Sequence, residues 1–198
     1  LDADIAQLIA DKLGVKLELV PMSFDTIVSA VTAGTVDMGI SCFSYNEERA
    51  KSVLFSNTYM TSAQACFTST KYGVDTMEDL KDGVVCAGNG TTGMDVAESL
   101  KDQYGFTLSY YEDSPTMYQA VIGGQAVACF EDTPIMITTI KENGYDLKVV
   151  EGSENDGADY GVAVFDEENR AFLDLFNKGL ANIKANGTYD KIIAKYLG

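Results

Sequence analysis

The sequence predicts an α/β protein of two lobes, each built on a mainly parallel sheet that helices flank. Helical and extended hydrophobic patterns alternate along nearly all of the 198 residues, which is typical of βαβ units. Two less regular segments, Asn57–Thr70 and Glu151–Asp159, set the middle of the chain apart from its flanks. We therefore expect two chain crossings, with one lobe made of 1–67 and 160–198 and the other of 68–159.

The spacing of apolar residues gives the expected position of each element. Helical spacing predicts helices around 5–13, 27–31, 94–104, 116–122, 134–143, 167–186 and 188–196. Alternating or continuous apolar runs predict strands at 16–20, 36–41, 84–87, 107–111, 127–130, 147–150 and 160–164. Sheets of this kind bind ligands beyond the carboxyl ends of their strands. The residues that follow 41, 87 and 130 are therefore the first candidates for a site.

Composition excludes several classes of function. The formal net charge is −16, so nucleic acid and anionic membrane surfaces would repel the chain, and nucleic acid is not expected as a partner. The sequence contains no His, which excludes His-based catalytic triads and His metal sites. No apolar run is long enough to cross a bilayer, and no signal sequence is recognised in the chain.

The four cysteines, Cys42, Cys66, Cys86 and Cys129, form no CxxC pair. Neither a zinc site nor a redox motif is therefore predicted, and no metal or cofactor is expected. Each cysteine stands among small or apolar neighbours, so buried thiols on strands are the default interpretation. A disulfide between Cys86 and Cys129 stays open, because the sequence does not fix the geometry that it needs.

Arg49 follows the end of the predicted strand 36–41, and it is one of two arginines in a chain with 30 acidic residues. A guanidinium presents a rigid fork of N–H donors that matches both oxygens of a carboxylate. Arg49, near the hydroxyl of Ser44, is thus a candidate carboxylate clamp. On this segment alone, a surface ion pair with Glu47 or Glu48 is the simpler explanation.

A second candidate follows the strand 84–87, where Gly90-Thr91-Thr92-Gly93 opens a helix. Backbone N–H groups at a helix start lack partners within the helix and carry positive partial charge, so they attract anions. The motif is weak by itself, since a threonine N-cap after a glycine turn is the commoner explanation.

A third candidate, Asp132, follows the strand 127–130 and precedes Thr133-Pro134, where a helix is expected to begin with Thr133 as its cap. The carboxylate of Asp132 can accept hydrogen bonds from an ammonium group. The alternative is that Asp132 itself caps the helix. Glu131 has a simpler alternative still, as a solvated charge at the rim.

The three candidates together offer a cation for a carboxylate, a helix start that attracts anions, and a carboxylate for an ammonium group. This combination is the polar complement of an α-amino acid zwitterion. The joint pattern is far less expected by chance than any one of its parts.

With these residues in place, the chain resembles the bacterial extracellular solute-binding family, in particular the amino-acid receptors of ABC importers. The resemblance covers nearly all of the chain and rests on the segments 1–6, 20–25, 46–56, 90–93, 131–134, 160–164 and 186–192. It implies a periplasmic-binding-protein fold with a two-strand hinge and a small-molecule amino acid as ligand. It also implies the membrane permease of an ABC importer as partner and an extracytoplasmic location, periplasmic or lipid-anchored at the cell surface.

The resemblance also implies a role for each residue of the carboxylate site. Arg49 is expected to bind the ligand α-carboxylate, helped by Ser44 at the family's Thr/Ser position. Thr92, with Gly90 and Thr91 beside it, is expected to contact the same carboxylate from the second lobe.

For the ammonium end of the ligand, the resemblance implies Asp132 in the second lobe and the backbone around Cys42 in the first. Phe43 and Tyr45 are expected near the side chain of the ligand. Cys42 stands where the family usually has Gly, which is expected to narrow the pocket there.

The main departure from the family pattern is at the start of the chain. Family members begin with a further strand and a loop that contacts the ligand side chain, whereas this chain opens on its first helix. The resemblance therefore implies that the first strand is either missing from this chain or supplied elsewhere. No enzyme activity is expected, although a sensing domain of a membrane receptor and a dehydratase on the same scaffold stay as alternatives. A dehydratase without His would need a carboxylate such as Glu131 with a raised pKa.

Overall fold

A computed structural model describes residues 1–164 and 169–197 of the chain. The helices are α1 (Asp2–Leu13), α2 (Ile27–Thr32), α3 (Thr92–Tyr104), α4 (Ser114–Ile122), α5 (Thr133–Asn143), α6 (Arg170–Ala185) and α7 (Thr188–Leu197). The strands are β1 (Leu54–Phe55), β2 (Met60–Ser62), β3 (Gln64–Ser69), β4 (Val84–Gly88), β5 (Thr107–Tyr111), β6 (Ala128–Asp132), β7 (Leu147–Val149), β8 (Ala158–Tyr160) and β9 (Ala163–Val164).

The chain divides into two compact units. The first unit comprises Leu1–Met22, Thr26–Thr61 and Ala158–Gly198, and the second comprises Ser23–Asp25 and Ser62–Gly157. Apart from the short segment Ser23–Asp25, the chain passes between the units in β2 and at the start of β8, and these two strands pair with each other. Residues 62–67, which the sequence prediction placed in the first lobe, lie in the second unit because β3 belongs to its sheet.

The first unit is built mainly on helices. α1 packs against α6 and α7, and the apolar stripe of α1 supplies Ile5 and Ile9 to a core that also contains Phe176 and Leu180. β1 pairs with β9 in antiparallel fashion. Burial of this helical face stabilises the unit, since apolar area removed from water contributes about 25 cal/mol per Å².

Two strands predicted for the first unit are absent from the described structure. Residues 16–20 form no strand, and Leu19 and Val20 are more than half exposed, at 56% and 53%. Residues 36–41 contribute a single bridge, between Gly39 and Ala163. Alternation of apolar residues produces a strand only where a neighbour supplies a ladder of hydrogen bonds. The prediction of a mainly parallel sheet is therefore wrong for the described residues of this unit.

The second unit contains a five-stranded sheet of order β5-β4-β6-β3-β7. β4 is parallel to both β5 and β6, whereas β3 is antiparallel to both β6 and β7. The sheet is thus mixed rather than mainly parallel. α3 packs on one face and α4 on the other, which buries both sides of the central strands.

β3 lies within the segment Asn57–Thr70, whose sequence shows no regular hydrophobic pattern. All six of its residues are buried, because the strand is covered on both faces of the sheet. A strand covered in this way shows no alternation of apolar and polar residues, so its signal was missed. The predicted strand 160–164 divides into β8 and β9 on either side of Gly161 and Val162.

Candidate functional site

The predicted site residues fall into two groups, one in each unit. Cys42, Phe43, Ser44 and Arg49 lie in the first unit, and Gly90, Thr91, Thr92 and Asp132 lie in the second.

In the first unit, the segment after Gly39 is held to the strands β8 and β9. Gly39 and Ala163 exchange backbone hydrogen bonds of 2.8 and 3.0 Å, and Gly161 donates to the carbonyl oxygen of Phe43 at 3.0 Å. Cys42 lies between these anchors at a φ of 47°, a left-handed conformation that glycine adopts more readily. This backbone conformation would explain why the family resemblance implies glycine at this position.

Asp2 fixes the backbone at Cys42. The carboxylate oxygen Oδ2 of Asp2 accepts a hydrogen bond of 2.5 Å from the Cys42 N–H, and Oδ1 lies 3.7 Å from the Cys42 thiol. Burial raises the pKa of Asp2 above its usual range, although the N–H of Cys42 opposes this shift. Burial, together with the nearby charge of Asp2, also raises the pKa of Tyr59.

Arg49 begins a short 3₁₀ turn. Its Nη1 donates to the carbonyl oxygen of Ser44 at 2.7 Å, and its guanidinium carbon lies 4.7 Å from the centroid of the Phe43 ring. Asn46 holds the start of the turn, because its Oδ1 accepts from the Arg49 N–H at 2.7 Å. Glu48, one of the acidic partners considered from the sequence, pairs with Lys51. Arg49 is thus oriented by its own loop and by an aromatic face.

The aromatic side chains of this loop pack on one another. Phe43 is 1% exposed and stacks on Phe55 at a centroid distance of 5.6 Å. Tyr45 is half exposed and meets Phe55 edge to face at 5.3 Å. Phe43 is therefore a rigid support for Arg49, whereas Tyr45 is the more accessible ring.

In the second unit, β4 leads through a glycine turn into α3. Gly90 has a φ of 71°, and Thr91 is the N-cap of α3. The Thr91 hydroxyl accepts from the Met94 N–H at 3.2 Å and donates to the Gly88 carbonyl oxygen at 2.8 Å. The capping alternative is therefore confirmed for Thr91, and Thr92 is the first residue of the helix.

Asp132 is the last residue of β6 and occupies the N-cap position of α5, but its side chain makes no capping hydrogen bond. Thr133, the predicted cap, is instead the first helical residue. Its N–H donates to the carbonyl oxygen of Ala63 at 3.0 Å, which ties the start of α5 to β3. Asp132 is 8% exposed and lies directly opposite Gln64 of β3.

Glu131 is buried, so the alternative of a solvated rim charge is wrong for it. Because successive residues of a strand face opposite sides of the sheet, Glu131 and Asp132 point to different faces. Glu131 accepts hydrogen bonds from Ser114 Oγ at 2.8 Å, from Tyr118 Oη at 2.6 Å and from the Asp132 N–H at 2.9 Å. Burial raises its pKa, and the nearby Asp132 charge raises it further. Glu131 therefore fastens α4 to the sheet.

The cysteines form no disulfide, and each carries a thiol. Cys86 and Cys129 lie opposite each other on β4 and β6 in one apolar cluster. Burial raises the pKa of Cys86 to about 11 and raises that of Cys129 well above its usual range. Such thiols carry little thiolate and are chemically inert. Among the described residues, no group of His, Cys, Asp or Glu is arranged to hold a metal ion.

Two polar residues of these regions were missed by sequence reasoning. Asp2 stands in the first turn of an amphipathic helix, where an acidic residue is expected simply to complement the helix dipole. Gln64 lies in β3, which the hydrophobic pattern did not mark as a strand.

In the described parts of the chain, no helix has the length and apolar character that a membrane span requires.

Comparison with known proteins matches the chain to one family and to amino-acid-binding proteins. Residues 1–198 match the family described as bacterial extracellular solute-binding proteins, family 3. The arginine-binding periplasmic protein of Mannheimia haemolytica is 29% identical over 200 residues, covering 100% of this chain and 81% of that protein. The L-cystine-binding protein TcyJ of Escherichia coli (strain K12) is 28% identical over 200 residues, covering 100% of this chain and 73% of that protein.

A solved structure of an ancestral arginine-binding protein bound to arginine matches with a TM-score of 0.90 at 33% sequence identity. The match covers 100% of this chain and 87% of that one. The predicted α/β fold of periplasmic binding proteins is thereby confirmed. The relatives named here are binding proteins, so the chain is a solute-binding protein and not an enzyme. It belongs to family 3 of the bacterial extracellular solute-binding proteins.

Proposed function

We propose that this protein binds an amino acid with residues from both of its units and delivers it to the membrane permease of an ABC importer. The relatives are named for arginine and for cystine, and both are α-amino acids. Those names, with the family membership, favour an extracytoplasmic location for this chain. The shared part of such ligands is the zwitterionic backbone, and the candidate residues match that part.

The observation that carries the proposal is the orientation of Arg49. Its guanidinium is fixed between the Ser44 carbonyl oxygen and the Phe43 ring, so little side-chain entropy is lost when it engages a carboxylate. The start of α3, at Thr92, would contact the same carboxylate through its backbone N–H groups. Asp132 would accept the ligand ammonium, since a buried carboxylate is stabilised by a cationic hydrogen-bond donor.

The mechanism follows from the division of these groups between two units. A ligand held by one unit would gain further hydrogen bonds when the other unit approaches it. Ligand shifts the population toward the closed state only by as much as it prefers that state. Closure would then present the loaded protein to the permease.

The first test is a thermal-shift screen of the twenty amino acids, followed by calorimetry. A ligand present at 100 times its Kd should stabilise the protein by about 2.7 kcal/mol. If no amino acid raises the Tm or releases heat on binding, the proposal is wrong.

Substitution of Arg49 tests its assigned role. Arg49→Ala should weaken binding by well over tenfold, because removing one partner of a buried charge pair costs about 2–5 kcal/mol. Arg170→Ala is the matched control, since Arg170 is exposed at the start of α6 and has no proposed contact with ligand. Equal affinities of the two variants in calorimetry would contradict the role of Arg49.

A further inference from the structure

Gln64 of the second unit has a polar side chain that is buried without a hydrogen-bond partner in the part of the chain that the structure describes. It is 1% exposed, and among the described residues neither Oε1 nor Nε2 of its side chain has a hydrogen-bond partner. A buried amide in this condition opposes folding, because it has lost its water and gained nothing in exchange. Native proteins rarely keep such a group without a role.

The position of Gln64 indicates what that role is. Gln64 lies directly opposite Asp132 across the β3–β6 pair, so the two side chains share one face of the sheet. α3 packs on this face. A Cβ atom added to Gly93 would lie 3.1 Å from Gln64 Oε1 and 3.2 Å from the Phe130 carbonyl oxygen. The amide is therefore in contact with the first turn of α3 and lies beside Asp132.

We propose that Gln64 is a positioning residue of the amino-acid site, whose amide hydrogen-bonds the start of α3 and the end of β6 when ligand engages both. The inference rests on the proposed function. An amide carries both donors and acceptors, so it can bond a backbone N–H of α3 and the Asp132 carboxylate at once. Because the described residues give this buried amide no hydrogen-bond partner, the bonds that it forms on ligand binding would contribute to affinity.

This role predicts opposite effects on stability and on affinity. Gln64→Met keeps the length of the side chain and removes its polar atoms. The Tm of the unliganded variant should equal or exceed that of the wild type, because no buried amide is left unsatisfied. Its affinity for the amino acid should fall by about three- to tenfold, which corresponds to one or two hydrogen bonds.

Thr68→Val supplies the matched control on the same strand and the same face. Thr68 is also buried, but its hydroxyl donates to the Val127 carbonyl oxygen at 2.7 Å. Removing that satisfied group should lower the Tm and leave the affinity within about twofold of wild type. The two variants thus separate a polar group that serves folding from one that serves binding.

The experiment measures the Tm of each dialysed protein and the Kd by calorimetry, with the amino acid that the thermal-shift screen identifies. An unchanged Kd in Gln64→Met would overturn the inference, as would a lowered Tm, which would show that the amide is already paired without ligand. Failure of the wild type to bind any amino acid would instead refute the proposed function itself, so the two failures are distinguishable.

Discussion

Cys42 occupies a backbone conformation that favours glycine, and its N–H is fixed by the Asp2 carboxylate. A non-glycine residue in the left-handed region costs about 1–2 kcal/mol, so Asp2 offsets a local strain. By the family resemblance, the backbone at this point faces the ammonium group of the ligand.

Substitutions at Cys42 should reveal that strain. Cys42→Gly relieves the strain but loses the thiol contact with Asp2, so the free energy of unfolding should change by less than about 1 kcal/mol. Cys42→Val places a β-branched side chain at the same φ and should destabilise the protein by about 2 kcal/mol. Urea denaturation under reducing conditions measures both. A glycine variant less stable than the valine variant would show that the thiol contact dominates.

Individual site residues could be predicted from the sequence where the residue type is rare in the chain or where the position is distinctive. Arg49 drew attention because arginine is rare in this acidic chain and because it follows a strand end. Asp132 did so through its place between a strand and a proline. Gln64 carries no such signal, since burial without a hydrogen-bond partner is a property of the folded chain.

At the level of elements, amphipathic and capped helices were the most predictable. α3, α5 and α7 lie within a residue or two of their expected positions, because helical spacing and glycine stops act locally. β5 matches its predicted range. The strands expected at 16–20 and 36–41 were not predictable in this way, because a strand depends on neighbours that are distant in sequence.

The contact between α3 and β6 depends on Gly93. Gly93→Ala would improve the intrinsic helix propensity, but its new methyl group would press on Gln64 and on the Phe130 backbone. Overpacking of this kind typically costs about 1–3 kcal/mol, so we expect a net loss of stability in urea denaturation. Ser99→Ala, at an exposed position of the same helix, should change the stability by less than about 0.5 kcal/mol. A Gly93→Ala variant as stable as Ser99→Ala would show that α3 can move away from β6 without cost.

Across the whole molecule, each unit contains a carboxyl group whose pKa is raised by burial: Asp2 in the first unit and Glu131 in the second. The ordinary values are 3.8 and 4.5. Between the ordinary pKa and the raised one, the folded state holds more protons than the unfolded state. Stability contributed by these groups therefore falls as pH rises through that window.

Asp2→Asn and Glu131→Gln remove the two titrations in turn. Relative to wild type, each variant should gain stability as the pH is raised from about 4 to 7, measured by urea denaturation at several pH values. Asp79→Asn is the control of opposite sign, because hydrogen bonds from the N–H groups of Thr76 and Asp75 lower the pKa of Asp79. That variant should lose stability relative to wild type as the pH is raised through the region just below 3.8, between the lowered pKa of Asp79 and its ordinary value. A pH-independent difference for Asp2→Asn or Glu131→Gln would show that the group does not titrate there.

The packing of α1 on α6 has a consequence for biosynthesis. At a typical elongation rate of 5–20 residues per second, the ribosome needs about 10–30 s to reach α6 after making α1. Throughout that time Ile5 and Ile9 have no partner helix to cover them, whereas the second unit can complete its sheet as soon as β7 emerges. The second unit should therefore fold before the first, and α1 should find its place only after α6 has been made.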